Sequence, residues 1–157
     1  MDPIDYQIVD LLQRDARTTQ VEIAREVGLS QPAVADRIRK LEQHKVITGY
    51  TAQVDATKLG KDITAFVGVG IGHPKHFDGF ARRIQQIDDV LECHRVAGKD
   101  TYLLKVKTEN TRSLDRLLVE VLRTIPGVTR TQTTIVLASI KEVTWIQPTP
   151  GEQEGHK

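Results

Sequence analysis

The sequence predicts an α+β protein made of two small domains, the first helical and the second mixed. Three short apolar patterns at helical spacing occupy residues 1–43, and strand-like and helix-like patterns alternate over residues 62–140. A weakly patterned stretch, residues 55–61, separates them and suits a hinge. With 157 residues, of which 39% are hydrophobic, the chain can bury a core, which excludes wholesale disorder.

Composition favours a cytoplasmic protein that does not enter a membrane. No apolar run approaches the ~20 residues needed to span a bilayer. The first ten residues carry three aspartates and lack the basic start of a secretory signal. The single cysteine, Cys93, cannot form an internal disulfide, and we expect it to be a small buried hydrophobic residue.

Capping residues mark the starts of the three N-terminal helices. Asp2 precedes the first apolar pattern, Thr19 and Glu22 form a capping box before the second, and Ser30 precedes the third. Gly28 ends the second pattern, so that little more than Leu29 separates it from the third. Two short helices joined by so tight a corner are typical of a helix-turn-helix.

The remainder of the chain divides into a short extended segment, a second domain and a tail. The sequence VITGYTAQV after the third helix is typical of a strand or wing, so residues 1–54 predict a winged helix-turn-helix domain. Residues 62–146 follow the order strand, helix, strand, strand, helix, strand, which is the ferredoxin-like βαββαβ arrangement. Residues 147–157 are rich in proline and glycine, and we expect a disordered tail.

The third helix carries polar residues on the side away from its apolar stripe, which is typical of a helix that reads DNA. A recognition helix places its N-terminal residues against base edges in the major groove, and a helix N-terminus favours a phosphate. Glutamine can pair with adenine, and arginine with guanine or a phosphate. The candidate DNA-contacting residues are Arg17, Thr19, Ser30, Gln31, Pro32, Ala35, Asp36, Arg37, Arg39 and Lys40.

Alternatively, the basic residues of this helix do not contact DNA. They then form a solvated charged face and pair with Asp36 and Glu42 across helical turns. The formal net charge of +1 does not favour nucleic acid, and neither part of the chain is strongly basic. The tight corner, the capping residues and the wing nevertheless favour double-stranded DNA as a partner.

The first sixty residues resemble the N-terminal domain of the Lrp/AsnC family of transcriptional regulators. The matching residues are Asp2, Asp5, Ile8, Arg17, the stretch LSQPAVADRIRKLE, the stretch VITGY, and Leu59-Gly60. The second domain resembles the amino-acid-binding module of the same family, so the resemblance covers about residues 1–145. One position departs from the family pattern, because Lys45 stands where glycine usually closes the third helix.

The resemblance implies a regulator without catalysis or cofactor, whose assembly and DNA affinity respond to an amino acid or similar small metabolite. It implies homodimers that pack sheet against sheet and assemble further to octamers. It also implies that the effector binds between dimers, at a site to which the loop between the second and third strands contributes. The implied effector-binding residues are Gly98, Asp100, Thr101, Tyr102, Thr131 and Thr133. Family members commonly have aspartate where Thr101 stands, which leaves the acidic ligand open.

Two other functions remain compatible with the sequence. The chain could be an architectural protein that binds DNA without responding to a ligand, or a ferredoxin-like small-molecule binder without DNA affinity. No catalytic triad, paired-carboxylate, Walker or dinucleotide motif is present, and the histidines do not form a metal-ligand pattern.

Overall fold

The computed structural model describes residues 1–149 and groups them into two compact units, each with its own hydrophobic core. The N-terminal unit comprises residues 1–53 together with residues 141–149, and the sheet unit comprises residues 54–140. Of the predicted tail, residues 150–157 lie outside the described residues. Among the described residues, none forms a helix long and apolar enough to cross a membrane.

Three helices form the N-terminal unit, within the bounds that the sequence predicts: α1 (Pro3–Arg14), α2 (Gln20–Val27) and α3 (Gln31–Gln43). The capping boxes at Asp2 and Thr19 are both present, and Gly28 ends α2 in the left-handed conformation. The helices bury one core, made of Ile8, Leu12, Ile23, Ala24, Val34, Ile38 and Leu41.

The predicted wing has no strand ladder within the described residues. Residues 46–53 form bends and irregular backbone and pair with no strand, since the only sheet described lies in the other unit. Their contacts include a side-chain hydrogen bond from the Tyr50 hydroxyl to Glu42 at 2.9 Å. Partial burial and this hydrogen bond raise the pKa of Tyr50 to about 12.

The sheet unit has the predicted ferredoxin-like order of elements. Its strands are β1 (Ile63–Ile71), β2 (Val90–Arg95), β3 (Tyr102–Thr108) and β4 (Val128–Ile135), in the antiparallel order β2-β3-β1-β4. Helix α4 (Phe77–Ile84) follows a 3-10 turn, and α5 (Thr111–Arg116) continues through a π-helical turn and a 3-10 turn to Thr124. Strand β4 ends at Ile135, so it is shorter than the pattern that the sequence continues to residue 140.

One face of this sheet forms the core and the other is open. Alternate residues of β1 and β3, such as Val67 and Leu104, are fully buried with Phe80 of α4. On the opposite face Phe66 and Leu103 remain partly exposed.

Cys93 is exposed, so the expectation that it is buried was wrong. It lies on β2, an edge strand, which has a neighbouring strand on one side only.

By their contacts, residues 141–149 group with the N-terminal unit. Thr144 and Ile146 hydrogen-bond there to Gln53 and Gln13. The predicted hinge, residues 55–61, contains a 3-10 turn at Thr57–Leu59 and lies within the sheet unit.

Candidate functional site

The exposed start of α3 presents the residues predicted to read base edges. Ser30 caps the helix by accepting a hydrogen bond from the Ala33 N–H, and Gln31 and Pro32 occupy the first two helical positions and are exposed. Ala35 is partly exposed, one turn further along the helix. This end of α3 therefore offers an amide, an apolar ring and a methyl group to a partner.

The basic residues of α3 are all engaged by carboxylates of the same unit. Asp36 pairs with Arg39, and its Oδ2 lies 2.8 Å from Nζ of Lys40. Hydrogen bonds from Lys40 and then Arg39 lower the pKa of Asp36. The pairing across helical turns that the alternative reading predicted is thus present for Asp36, whereas Glu42 bonds to Tyr50 instead.

Arg37 faces α1 and joins the two helices. Its Nη1 lies 2.7 Å from Oδ2 of Asp2 and 2.7 Å from Oδ1 of Asp5. The backbone N–H of Asp5, and then the Arg37 guanidinium, lower the pKa of the Asp2 carboxyl. The Arg37 side chain is only 28% exposed, and its two ion pairs connect α3 to the start of α1.

The turn between α1 and α2 carries the predicted phosphate contacts. Thr19 caps α2 and hydrogen-bonds Glu22, while Asp15 accepts a hydrogen bond from the Arg17 N–H at 2.8 Å. Arg17 belongs to this ordered turn, and its guanidinium has no ion pair among the described residues. A free guanidinium near the N-terminus of α2 is suited to a phosphate.

Lys45 has the backbone conformation that its family position suggests. Its φ of 59° places it in the left-handed region, where it alone among the described non-glycine residues has a positive φ. The residue is exposed just after the end of α3. The helix therefore ends as a glycine-capped helix would, at a cost in strain of roughly 1 kcal/mol.

In the sheet unit, the loop between β2 and β3 places Asp100 in an ion pair. Asp100 Oδ1 lies 2.6 Å from Nη2 of Arg130, which also donates to the carbonyl oxygen of Lys99. The pair lies close to the backbone of β1, since a Cβ on Gly68 would come within 2.3 Å of Asp100 Oδ2. A Cβ on Gly70 would likewise come within 2.9 Å of the Arg130 side chain.

The other predicted effector residues serve the loop or the core. Thr101 donates its N–H to the Val69 carbonyl at 2.9 Å, and its hydroxyl accepts from the Ile71 N–H at 3.1 Å. Gly98 has a φ of 149°, which favours glycine. Tyr102 is buried against Phe80, with ring centroids 4.7 Å apart.

The six predicted effector residues therefore do not form one cluster within a single chain. Directly paired residues share a face of a sheet, and Thr131 pairs with Val69 and Thr133 with Val67, both of which face the core. Asp100 lies over Gly68, on the opposite face. Sequence reasoning missed Arg130, although the glycines of GVGIG signalled a close approach to β1.

Two family models and many relatives match this chain. Residues 1–42 match the AsnC-type helix-turn-helix domain, and residues 64–146 match the Lrp/AsnC ligand binding domain. The leucine-responsive regulatory protein of Escherichia coli K12 is 35% identical over 144 residues, covering 90% of this chain and 88% of its own length. The Serratia marcescens protein of the same name matches to the same extent.

Solved structures agree in fold over nearly the whole chain. E. coli AsnC has a TM-score of 0.88 at 28% identity, covering 94% of this chain and 99% of its own. A transcriptional regulator from Neisseria meningitidis, solved as a complex with L-Met, has a TM-score of 0.88 at 27% identity, covering 92% and 94%.

Together the helix-turn-helix and the antiparallel sheet unit define a DNA-binding transcriptional regulator with a ligand-binding module. The chain belongs to the Lrp/AsnC family. Its relatives are regulators and not enzymes.

Proposed function

We propose that this regulator binds a free amino acid or a similar small metabolite and that binding changes its assembly and its affinity for DNA in the cytoplasm. The observation that carries the proposal is the Asp100–Arg130 ion pair on the open face of the sheet. An α-amino acid has an ammonium and a carboxylate, which are complementary to these two groups. The L-Met complex of the N. meningitidis relative supports an effector of this class.

The ion pair suits a site that an amino acid enters by exchange. Asp100 is 23% exposed and Arg130 is 40% exposed, so both are accessible, and each satisfies the other when no effector is bound. An entering zwitterion would place its ammonium at Asp100 and its carboxylate at Arg130 or at the N–H groups of the loop at Gly98. Thr131 and Thr133 face the core side of the sheet, so they influence this site by shaping β4.

For DNA we propose that the start of α3 reads bases and the α1–α2 turn holds phosphates. Gln31, Pro32 and Ala35 supply the base contacts, and Arg17 and Thr19 the phosphate contacts. Arg39 and Lys40 reach phosphates by exchanging Asp36 for the DNA backbone. Arg37 acts as a positioning residue, because Asp2 and Asp5 hold its guanidinium against α1.

We further propose that the open face of the sheet joins two copies, and that dimers assemble to octamers as the family resemblance implies. Phe66 is 39% exposed and Leu103 is 38% exposed on this face. Both side chains would gain burial from a second sheet packed against them. A symmetric dimer then presents two α3 helices to a two-fold site on DNA.

A thermal-shift screen of the twenty amino acids tests the effector proposal. A ligand at about 100 times its Kd stabilises the native state by roughly 2.7 kcal/mol, which is easily measured. Gly98→Trp is the matched variant, since it alters the loop far from the helix-turn-helix in sequence. We expect it to bind DNA as the wild type does and to lose the response; an unchanged response would exclude this loop.

DNA binding with and without the stabilising amino acid completes the test. An effector that changes DNA affinity must itself bind differently when DNA is present, by the same factor. No shift with any amino acid, combined with DNA binding that lacks sequence preference, would contradict the proposal and favour the architectural alternative.

A further inference from the structure

The last described residues of the chain form no helix or strand and contact α1 within the N-terminal unit. We call residues 141–149 the C-terminal segment. The side-chain amide of Gln13 bonds to both backbone groups of Ile146: its Nε2 donates to the Ile146 carbonyl at 2.9 Å, and its Oε1 accepts from the Ile146 N–H at 2.7 Å. The amide thus bonds the N–H and the carbonyl of one residue, as a neighbouring β-strand would. These two bonds fix which residue of the segment lies against Gln13.

Two further contacts hold the residues just before Ile146. The guanidinium of Arg14 lies 5.1 Å from the centre of the Trp145 ring and is itself paired with Asp10 at 2.9 Å. Gln53 donates from its side-chain amide to the Thr144 hydroxyl at 2.9 Å. The segment thus lines a groove of about 400 Å³ together with residues of α1 and of the irregular stretch 46–53.

The docking site lies beside the proposed phosphate contacts. Gln13 and Arg14 are the last two residues of α1, and the turn that follows carries Arg17 and Thr19. Within that turn Asp15 accepts hydrogen bonds from the Arg17 N–H and the Thr18 hydroxyl, each at 2.8 Å. A contact that fixes the end of α1 therefore also restricts the turn.

The contacts are mostly polar and exposed, so docking is reversible. Ile146 is 75% exposed and Trp145 is 37% exposed, and the segment buries little apolar surface. Segments with few buried apolar contacts undock at a small fraction of the global free energy of unfolding.

We propose that the C-terminal segment is a clasp whose docking holds the α1–α2 turn in the geometry that binds DNA. When the segment undocks, the end of α1 loses the contacts of Gln13 and Arg14, and the turn samples conformations that do not fit the phosphates. The proposal rests on the phosphate contacts proposed above for Arg17 and Thr19.

Gln13→Ala in the full chain tests the clasp, with Gln86→Ala as the matched control. Gln86 is an exposed glutamine beyond the end of α4, so its loss removes the same amide without touching the segment. Trp145 is the only tryptophan, and acrylamide quenching of its fluorescence reports docking directly. Affinity is measured on one double-stranded fragment selected for binding to the wild-type chain.

We expect Gln13→Ala to increase quenching and to weaken DNA binding by roughly threefold to tenfold, since two hydrogen bonds are lost. Gln86→Ala should change neither. Gln53→Ala removes only the contact to Thr144, and Gln53 lies outside the helices. It should increase quenching and weaken DNA binding by less than Gln13→Ala does. If Gln13→Ala does not fold, Gln53→Ala tests the clasp in its place.

Increased quenching with unchanged DNA affinity overturns the proposal, and so does unchanged quenching in both variants. Arg17→Ala separates this proposal from the phosphate contact on which it rests. It should weaken DNA binding without altering Trp145. If Arg17→Ala binds DNA as the wild type does, the phosphate contact of Arg17 fails, and Gln13→Ala still decides the clasp.

Discussion

The guanidinium of Arg37, on the third helix, lies 2.7 Å from the carboxylate of Asp2, at the cap of the first helix. Asp2 therefore has two roles. It pairs with Arg37, and it caps α1 by accepting a hydrogen bond from the Asp5 N–H. We expect Arg37→Gln to lower the melting temperature by a few degrees while reducing DNA affinity only slightly. A thermal melt and a salt titration of DNA binding measure both effects.

The salt titration decides whether Arg37 positions the helix or contacts DNA. Loss of one phosphate contact reduces the slope of log K against log salt by about 1. We expect an unchanged slope for Arg37→Gln, and a reduced slope for Arg17→Ala as the positive control. A reduced slope for Arg37→Gln would show a phosphate contact.

The Asp2 carboxylate, which accepts from the Asp5 N–H and from Arg37, predicts a loss of stability in acid. The pKa of Asp2 is lowered in the folded chain, so the stabilisation is present above the unfolded pKa of about 3.9 and is lost as pH falls through the folded pKa. Asp2→Asn keeps a capping oxygen but removes the charge. The difference in melting temperature between wild type and Asp2→Asn should therefore be present at neutral pH and vanish well below pH ~4.

Lys45 predicts a substitution that stabilises the protein. Glycine adopts a φ of 59° freely, so Lys45→Gly should raise the free energy of unfolding by about 1 kcal/mol. Lys45→Ala is the control, because it removes the same charge but keeps the strain. Urea denaturation of the two variants separates these causes. Equal stabilities for the two variants would show that backbone strain contributes nothing here.

The helices of the N-terminal unit were predictable from sequence because their signals are local. Asp2, Thr19 and Ser30 each bond to a backbone group three residues away, so the capping pattern defines each helix start. The order of strands and helices along the sheet unit followed from the alternation of patterns. These predictions required no knowledge of distant contacts.

The Asp100–Arg130 ion pair and the docking of the C-terminal segment depend on distant contacts that no local pattern shows. Arg130 reaches Asp100 across β1, at a separation of thirty residues, and Ile146 reaches Gln13 across most of the chain. The periodicity of β4 correctly placed Thr131 and Thr133 on one face. It could not show that this face is opposite to Asp100.

The close approach of Asp100 to Gly68 predicts a specific loss of effector binding. In Gly68→Ala the new Cβ would come within 2.3 Å of Asp100 Oδ2, so the carboxylate must move away from the sheet. We expect amino-acid affinity to fall by roughly tenfold or more, as for loss of a charged hydrogen bond, with little change in DNA binding. Isothermal titration with the amino acid found in the thermal-shift screen measures the affinity.

Gly79→Ala is the matched control for that substitution. Gly79 lies in α4, where a Cβ meets nothing within 4 Å, so alanine should bind the effector as the wild type does. An unchanged affinity in Gly68→Ala would show that Asp100 does not contact the effector.

The chain connection between β4 and the clasp predicts that the effector changes the fluorescence of Trp145. Strand β4 ends at Ile135 and the C-terminal segment begins at Lys141, so residues 136–140 alone connect them along the chain. Movement of Arg130 on β4 when an effector replaces its bond to Asp100 is therefore transmitted through a short tether. We expect the effector to alter acrylamide quenching of Trp145 in the wild type and not in Arg130→Gln. If a saturating effector leaves the quenching unchanged, effector binding in the sheet unit does not affect the segment. The role of the segment in holding the α1–α2 turn is tested separately, by Gln13→Ala.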